Sequence, residues 1–489
     1  MRNSPRKTHS CCFPRRGFLK ALGAGAAALP LSALPAPSED APDGGAPGAS
    51  APRPKGVATI RGAFLYPPTQ TLRDAGYWSW PGSSFDAEGH HKRYLDKIRA
   101  IEAGLGIKVA MEEKPVDGEE SASRFIQEVK GTKPDGLLLI PFKKSHWSLV
   151  LRIVKETGVP SVVLATLGVL LVDHIQQLRR APGAYLINAM DDLDAVEYGL
   201  RMIRTARWMR ESRILNIAGS QVREALVPHL GTQVRSVPLS RFYEVFRTQE
   251  IDGDVKELAR TYAKGAREVV EPTEADILEA ARACFALRKI LKQEGGDALM
   301  MDCLPGLARP HKHVPPCMGF MTLRDEGTAA GCQADLSATL TLMIVAQLFG
   351  KPGFQQNSST ETEENRYFGA HCTSPARMRG MGSPAEPYIL RSHAEAGWGC
   401  VPQVLFSQGE PVTMAQYLPG EKPQLYLYSG KIAKCYPKAP GGCRTNIEVA
   451  FEGVLDACDI KGMHQIIFYG DHIEDLRRFC QLYGIGAVS

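Results

Sequence analysis

Between residues 57 and 345, short uninterrupted apolar runs alternate with longer stretches of helical spacing, and this rhythm restricts the fold more than any other feature of the chain. Val57-Ala58-Thr59-Ile60 with Ala63-Phe64-Leu65-Tyr66, then Ile107-Lys108-Val109-Ala110, Gly136-Leu137-Leu138-Leu139-Ile140 and Ser161-Val162-Val163-Leu164 read as strands. The run at 136–140 has no polar side chain, as expected of a strand covered on both faces. His91 to Ala103, Ser121 to Lys130 and Trp147 to Glu156 carry helical periodicity between them. Such a succession predicts a doubly wound parallel sheet over 57–185. A second unit of the same kind is predicted over 186–345, opening with the strand Tyr185-Leu186-Ile187 and closing with the apolar helix Leu336 to Phe349. From 346 to 489 the pattern shortens to alternating pieces such as Gln403-Val404-Leu405-Phe406 and Ile447-Glu448-Val449-Ala450, separated by Pro- and Gly-rich turns. The fold class read from this is α/β, two doubly wound domains followed by a mostly antiparallel β C-terminal domain.

The first 56 residues do not read as fold. Arg15-Arg16-Gly17-Phe18-Leu19-Lys20 followed by the Ala- and Gly-rich stretch Ala21 to Leu34 resembles a bacterial twin-arginine signal over 1–36, with Pro14 where Ser or Thr is usual. Residues 37–56 read as a disordered linker. Export to the periplasm or another extracytoplasmic space is therefore expected. Six of the 58 basic residues lie in the first twenty positions, which contain no acid, so the body is close to neutral. That removes the usual reason to expect a nucleic-acid partner. The longest apolar run, Val162 to Val172, is too short to span a membrane, which takes about 20 residues. Ten of the twelve cysteines fall after residue 280 without a C-x-x-C spacing, which argues against a zinc ribbon or thioredoxin-type pair. Cys435 and Cys443 flank a Pro-Gly-rich loop and are read as a possible loop disulfide, the others as buried thiols.

Side chains able to do chemistry are densest between 302 and 372. Asp302 ends a predicted strand, and His311 and His313 lie in a loop between Pro310 and Pro315. Asp335 precedes the apolar helix and reads equally well as its N-cap, and His371 reads as a ligand or as a satisfied buried histidine. His464 opens a late strand. Trp78 and Trp80 offer ring faces on which a sugar can stack, or pin their loop to the core. No dinucleotide fingerprint, nucleophile elbow or His-Glu-x-x-His is present.

The order of several segments resembles the L-fucose/L-arabinose isomerase superfamily, best over 298–470. They are Gly331-Cys332-Gln333-Ala334-Asp335-Leu336, Gly350-Lys351-Pro352-Gly353-Phe354, Gly369-Ala370-His371-Cys372, Gly409-Glu410-Pro411-Val412-Thr413-Met414 and Gly462-Met463-His464-Gln465. The resemblance implies an aldose–ketose isomerase that holds Mn²⁺ or another divalent metal, acts on a small-molecule sugar and assembles as a trimer or hexamer. It carries metal-ligand roles onto Gln333, Gln356, His371 and His464, catalytic roles onto Asp335 or Asp302, and leaves Trp78, Trp80 and His313 for substrate. The chain departs from the family where it matters: Gln333 stands at the first acid, and Phe354-Gln355-Gln356-Asn357 holds no acid where the second belongs. Glutamine keeps a coordinating oxygen but has no charge and cannot act as a base. The expectation is a sugar-directed protein with an altered metal site. The alternatives are a non-catalytic sugar-binding or sensing protein on the same scaffold, and a lyase or epimerase with Asp335 as base.

Overall fold

The computed structural model describes residues 55–74, 82, 85–166, 168–190, 192–308, 311–438, 442–452 and 456–489. The twin-arginine segment, most of the linker, and Trp78 and Trp80 lie outside the described residues.

The first sheet is wholly parallel. Its strands β1 (Thr59–Leu65), β2 (Lys108–Met111), β3 (Gly136–Pro141), β4 (Ser161–Thr166) and β5 (Ala184–Ala189) take the order β2-β1-β3-β4-β5. Alternate residues of β1 enter two cores: Ile60 and Phe64 pack with Tyr94 and Ile98 of the helix Ala87–Leu105, and Ala63 and Leu65 pack with Phe125 and Ile126 of the helix Glu119–Thr132. Helices therefore cover both faces, which is why β3 could be apolar throughout. The Ala87–Leu105 helix starts where Asp86 accepts the Gly89 N–H at 2.9 Å and stops at Gly106, whose φ of 62° is left-handed. The strand expected to open the second unit belongs here instead. Ser161↔Ala184 through Thr166↔Ala189 register β5 beside β4, so the boundary drawn at 185 falls within the first sheet.

The second sheet contains β6 (Arg213–Ile217), β7 (Arg223–Leu226), β8 (Gln233–Val237), β10 (Ala298–Met301) and β11 (Ala330–Cys332); the short β9 (Glu268–Val269) lies elsewhere. The order is β11-β10-β6-β8-β7, parallel except for the β7–β8 pair. The helix Leu336–Phe349 packs on one face and Glu274–Glu294 on the other.

The C-terminal region is antiparallel, as its alternation suggested, and closes into a barrel. β12 (Phe354–Glu361) and β13 (Arg366–His371) are followed by the hairpin β14 (Tyr388–Arg391) and β15 (Val401–Val404), which takes β9 as a third strand. Then come β16 (Pro411–Leu418), β17 (Gln424–Lys434), β18 (Thr445–Phe451), β19 (His464–Tyr469) and β20 (Gly486–Val488). The order β16-β19-β12-β13-β18-β17 closes through a β16–β17 ladder, with β20 added parallel to β17. Phe354, Tyr367, Met414, Ile447 and Ile467 share one core, while Ile466 and Phe468, the alternate residues of β19, pack with the helix Leu336–Phe349. One face of the barrel is thereby fixed against the second sheet. Among the described residues no helix is long and apolar enough to cross a membrane.

Candidate functional site

At the carboxyl ends of β10 and β11 the chain leaves the second sheet and meets the barrel. Met301 pairs with Cys332, so Asp302 and Gln333 are the next residues on neighbouring strands. Gln333 and Ala334 both adopt left-handed backbone, with φ of 56° and 51°. Neither is glycine, so each carries a strain of about 1–2 kcal/mol. The turn is held by the Ala334 N–H on Met301 O at 3.2 Å, and it delivers Asp335 to the start of the helix. Asp335 is the N-cap and also reaches the barrel: Oδ1 accepts the Ala338 N–H at 2.8 Å, and Oδ2 lies 2.6 Å from His464 Nδ1 in a hydrogen bond.

His464 comes from the barrel, as the first residue of β19, on the face that meets the helix. It is fully buried. Its Nδ1 meets the carboxylate, and its Nε2 makes no hydrogen bond among the described residues. The His371 ring lies 5.7 Å from it, centroid to centroid. Burial, and after it His464, Arg324 and His393, hold His371 well below the usual histidine range, so it is neutral. Its Nδ1 accepts the Cys372 N–H at 3.0 Å, which assigns its hydrogen to Nε2, an atom also without a partner. Two buried imidazole nitrogens are thus left without partners side by side.

Three buried amides line the adjoining strands. Gln356 faces Gln465 across the β12–β19 ladder, and Gln416 continues the row on β16, one step beyond the Ala415↔Ile466 pair. The Oε1 atoms of all three lack hydrogen-bond partners. Gly369 makes room for one of them, since a Cβ there would lie 1.5 Å from Gln356 Oε1. Gln355, on the opposite face of β12, is structural: its amide clasps Cys332 through the Cys332 N–H (2.8 Å) and O (3.1 Å).

The predicted residues separate into groups. Asp335, His371 and His464 converge, Gln356 faces the barrel core on the opposite side of the wall from His464, and Gln333 forms the strained turn. Asp302 ends β10 half-buried, its carboxyl pushed up by burial and without an ion pair among the described residues. His313 stacks on Tyr243 at 3.6 Å. Among the described residues no three His, Cys, Asp or Glu side chains are placed as a ready metal-holding group. The Cys435–Cys443 bridge does not form: Cys435 Sγ points at Val404 O, and Cys443 packs with Cys317 and Cys372. Gln416, Gln465 and Arg324 were not foreseen, because an isolated polar residue in an apolar strand or helix gives no sign of which side of a closed barrel it will face. No protein-family model matches the chain, and no curated protein is similar to it by sequence.

Proposed function

We propose that the chain is a sugar-directed protein of the ketol-isomerase type in which a carboxylate–imidazole dyad, rather than a divalent metal, handles the proton. Two doubly wound units, the first running through β5, precede the barrel, and the site lies where the second meets it. The observation that carries it is the 2.6 Å contact between Asp335 and His464, which leaves the buried Nε2 of His464 unpartnered. A carboxylate behind an imidazole fixes its tautomer and stabilises the cation formed when it accepts a proton, which is how a general base is oriented. His371 Nε2–H beside it supplies a donor to an adjacent oxygen. Aldose–ketose interconversion needs this combination, a base at one carbon and a donor at the neighbouring carbonyl.

The donor set fits hydroxyl groups better than manganese. Both Asp335 oxygens are engaged, and His371 presents a hydrogen rather than a lone pair. A hard ion favours anionic oxygens, and the carboxylate beside these imidazoles is already committed to two hydrogen bonds. Sugar hydroxyls both donate and accept, so they can pair with both imidazole nitrogens. Export by the twin-arginine route and assembly into a trimer or hexamer remain part of the proposal on the strength of the resemblance.

The test uses purified protein in EDTA, a panel of pentoses and deoxyhexoses in D₂O, thermal shift for binding and NMR for deuterium entry at C2. Binding with exchange is expected. Asp335→Asn should lower exchange by about 10²-fold or more while keeping the cap, since Asn caps as well as Asp. Exchange only after metal is added would overturn the metal-free mechanism, and failure of every sugar to bind would overturn the substrate class. Gln333 and Gln356 in place of acids favour a second reading, a sugar-binding protein without turnover, which predicts the thermal shift and no exchange.

A further inference from the structure

We propose that the cleft between the helices Val172–Arg179 and Ile473–Tyr483 binds a small ligand that carries a diphosphate group. This proposal does not depend on the sugar reading. His464 opens β19, and the helix Ile473–Tyr483 follows the far end of that strand, so the cleft lies apart from the Asp335–His464 contact. It also lies at the amino end of β5, whereas a doubly wound sheet holds its usual ligands at the carboxyl ends of its strands. The cleft has a volume of about 510 Å³, within the range of small-molecule sites. Arg179, Arg180, Arg477 and Arg478 line it against a single carboxylate, that of Glu474.

The two walls are tied together without a ligand. Gln481 Nε2 donates to Ala181 O at 3.1 Å and to Ala184 O at 2.6 Å, and Gln481 O accepts the Gly183 N–H at 3.0 Å. These bonds fix the turn that follows Arg180 to the helix that bears Arg477 and Arg478. Arg478 is held by Asp475 at 3.0 Å and lies over the Tyr185 ring, 5.5 Å from its centroid. Arg477 pairs with Glu474 at 2.5 Å and donates to Ser489 Oγ at 2.7 Å. The carboxylates of Glu474 and Asp475 are thus used by the arginines of their own helix. On the opposite wall Arg179 and Arg180 are exposed and have no ion pair among the described residues. The dipole of the helix Val172–Arg179 favours a cation in its last turn, but it does not account for four guanidinium groups around one space. Two of them stand without an anion and repel each other. A guanidinium fork takes two phosphate oxygens at once, and a diphosphate sets two such groups side by side within a length the cleft accommodates. A soluble nucleotide and a lipid diphosphate present this same group to the arginines.

The experiment titrates the purified full-length chain, in EDTA and at matched ionic strength, with inorganic pyrophosphate, orthophosphate and sulfate by isothermal calorimetry. Pyrophosphate should bind one to one and about tenfold or more tightly than either single anion. Combining Arg179→Gln with Arg180→Gln should weaken pyrophosphate binding by about tenfold or more, since hydrogen bonds between charged groups are lost. Pyrophosphate binding no tighter than that of sulfate, or unchanged in the double variant, overturns the proposal. The anion comparison on the unsubstituted chain decides the matter even where the variant does not fold. Uridine diphosphate in solution and vesicles doped with a prenyl diphosphate are then compared, and tighter binding of either supports the site and assigns the source. Binding to phosphatidylglycerol vesicles with none to pyrophosphate overturns the cleft and makes the arginines a membrane-facing surface instead.

Discussion

His371 shows how much of this site is decided by single hydrogen bonds. A buried histidine that cannot take a proton makes stability depend on pH. The unfolded chain protonates this side chain near the ordinary histidine value, whereas the folded chain holds it well below. Below about pH 6.5 the unfolded state therefore binds more protons, and stability falls as pH falls, by up to about 1.4 kcal/mol per pH unit until the folded site itself titrates. His371→Gln removes the titration. Urea unfolding at a series of pH values should show a shallower decline for the variant below about pH 6.5. Parallel curves would mean that His371 is as free to protonate when folded as when unfolded. The sequence singled out His371, Asp335 and His464, which the fold brings together, but gave no sign of their hydrogen bonds. Which nitrogen carries the hydrogen depends on the Cys372 N–H and the Asp335 carboxylate, and both are settled by tertiary structure.

At the scale of elements, the long periodic segments were legible and the short ones were not. The helix Leu336–Phe349 and the strand β3 were readable because their apolar patterns are long and their ends are marked, the helix by Asp335 and Gly350. The helix Cys317–Asp325 went unread because it is buried on nearly every side and has no polar stripe to reveal its period. The turn at Gln333-Ala334 was equally hidden, since neither residue type announces left-handed backbone. Its strain is testable. Ala334→Gly releases about 1 kcal/mol of strain but adds a comparable entropy to the unfolded chain, so the net change should stay within about 0.5 kcal/mol. Ala334→Val places a β-branched side chain in the same conformation and should cost about 1–3 kcal/mol. Equal midpoints for the two variants in urea would show that the turn relaxes without cost.

For the whole molecule, the question is what joins the second sheet to the barrel, because the candidate site takes Asp335 from one and His371 and His464 from the other. Packing of Ile466 and Phe468 with the helix Leu336–Phe349 supplies area, but apolar contact alone does not set register. Arg324 does. It is almost wholly buried, and it donates to Ala330 O at the start of β11, to Thr373 O just past β13, and to Gln355 Oε1 on β12. Burial pushes its guanidinium down to about 10, still far above neutrality, so the charge stays and is met by these oxygens. Arg324→Met keeps the volume and leaves the three acceptors to find other partners, which should cost about 3–5 kcal/mol. The loss should reach the site as well. Thr373 is two residues from His371 and Gln355 holds Cys332 beside Gln333, so sugar-induced thermal stabilisation should shrink in this variant even at temperatures where it remains folded. A variant that loses stability but keeps its ligand shift unchanged would separate the anchor from the site and confine Arg324 to the packing of the two layers.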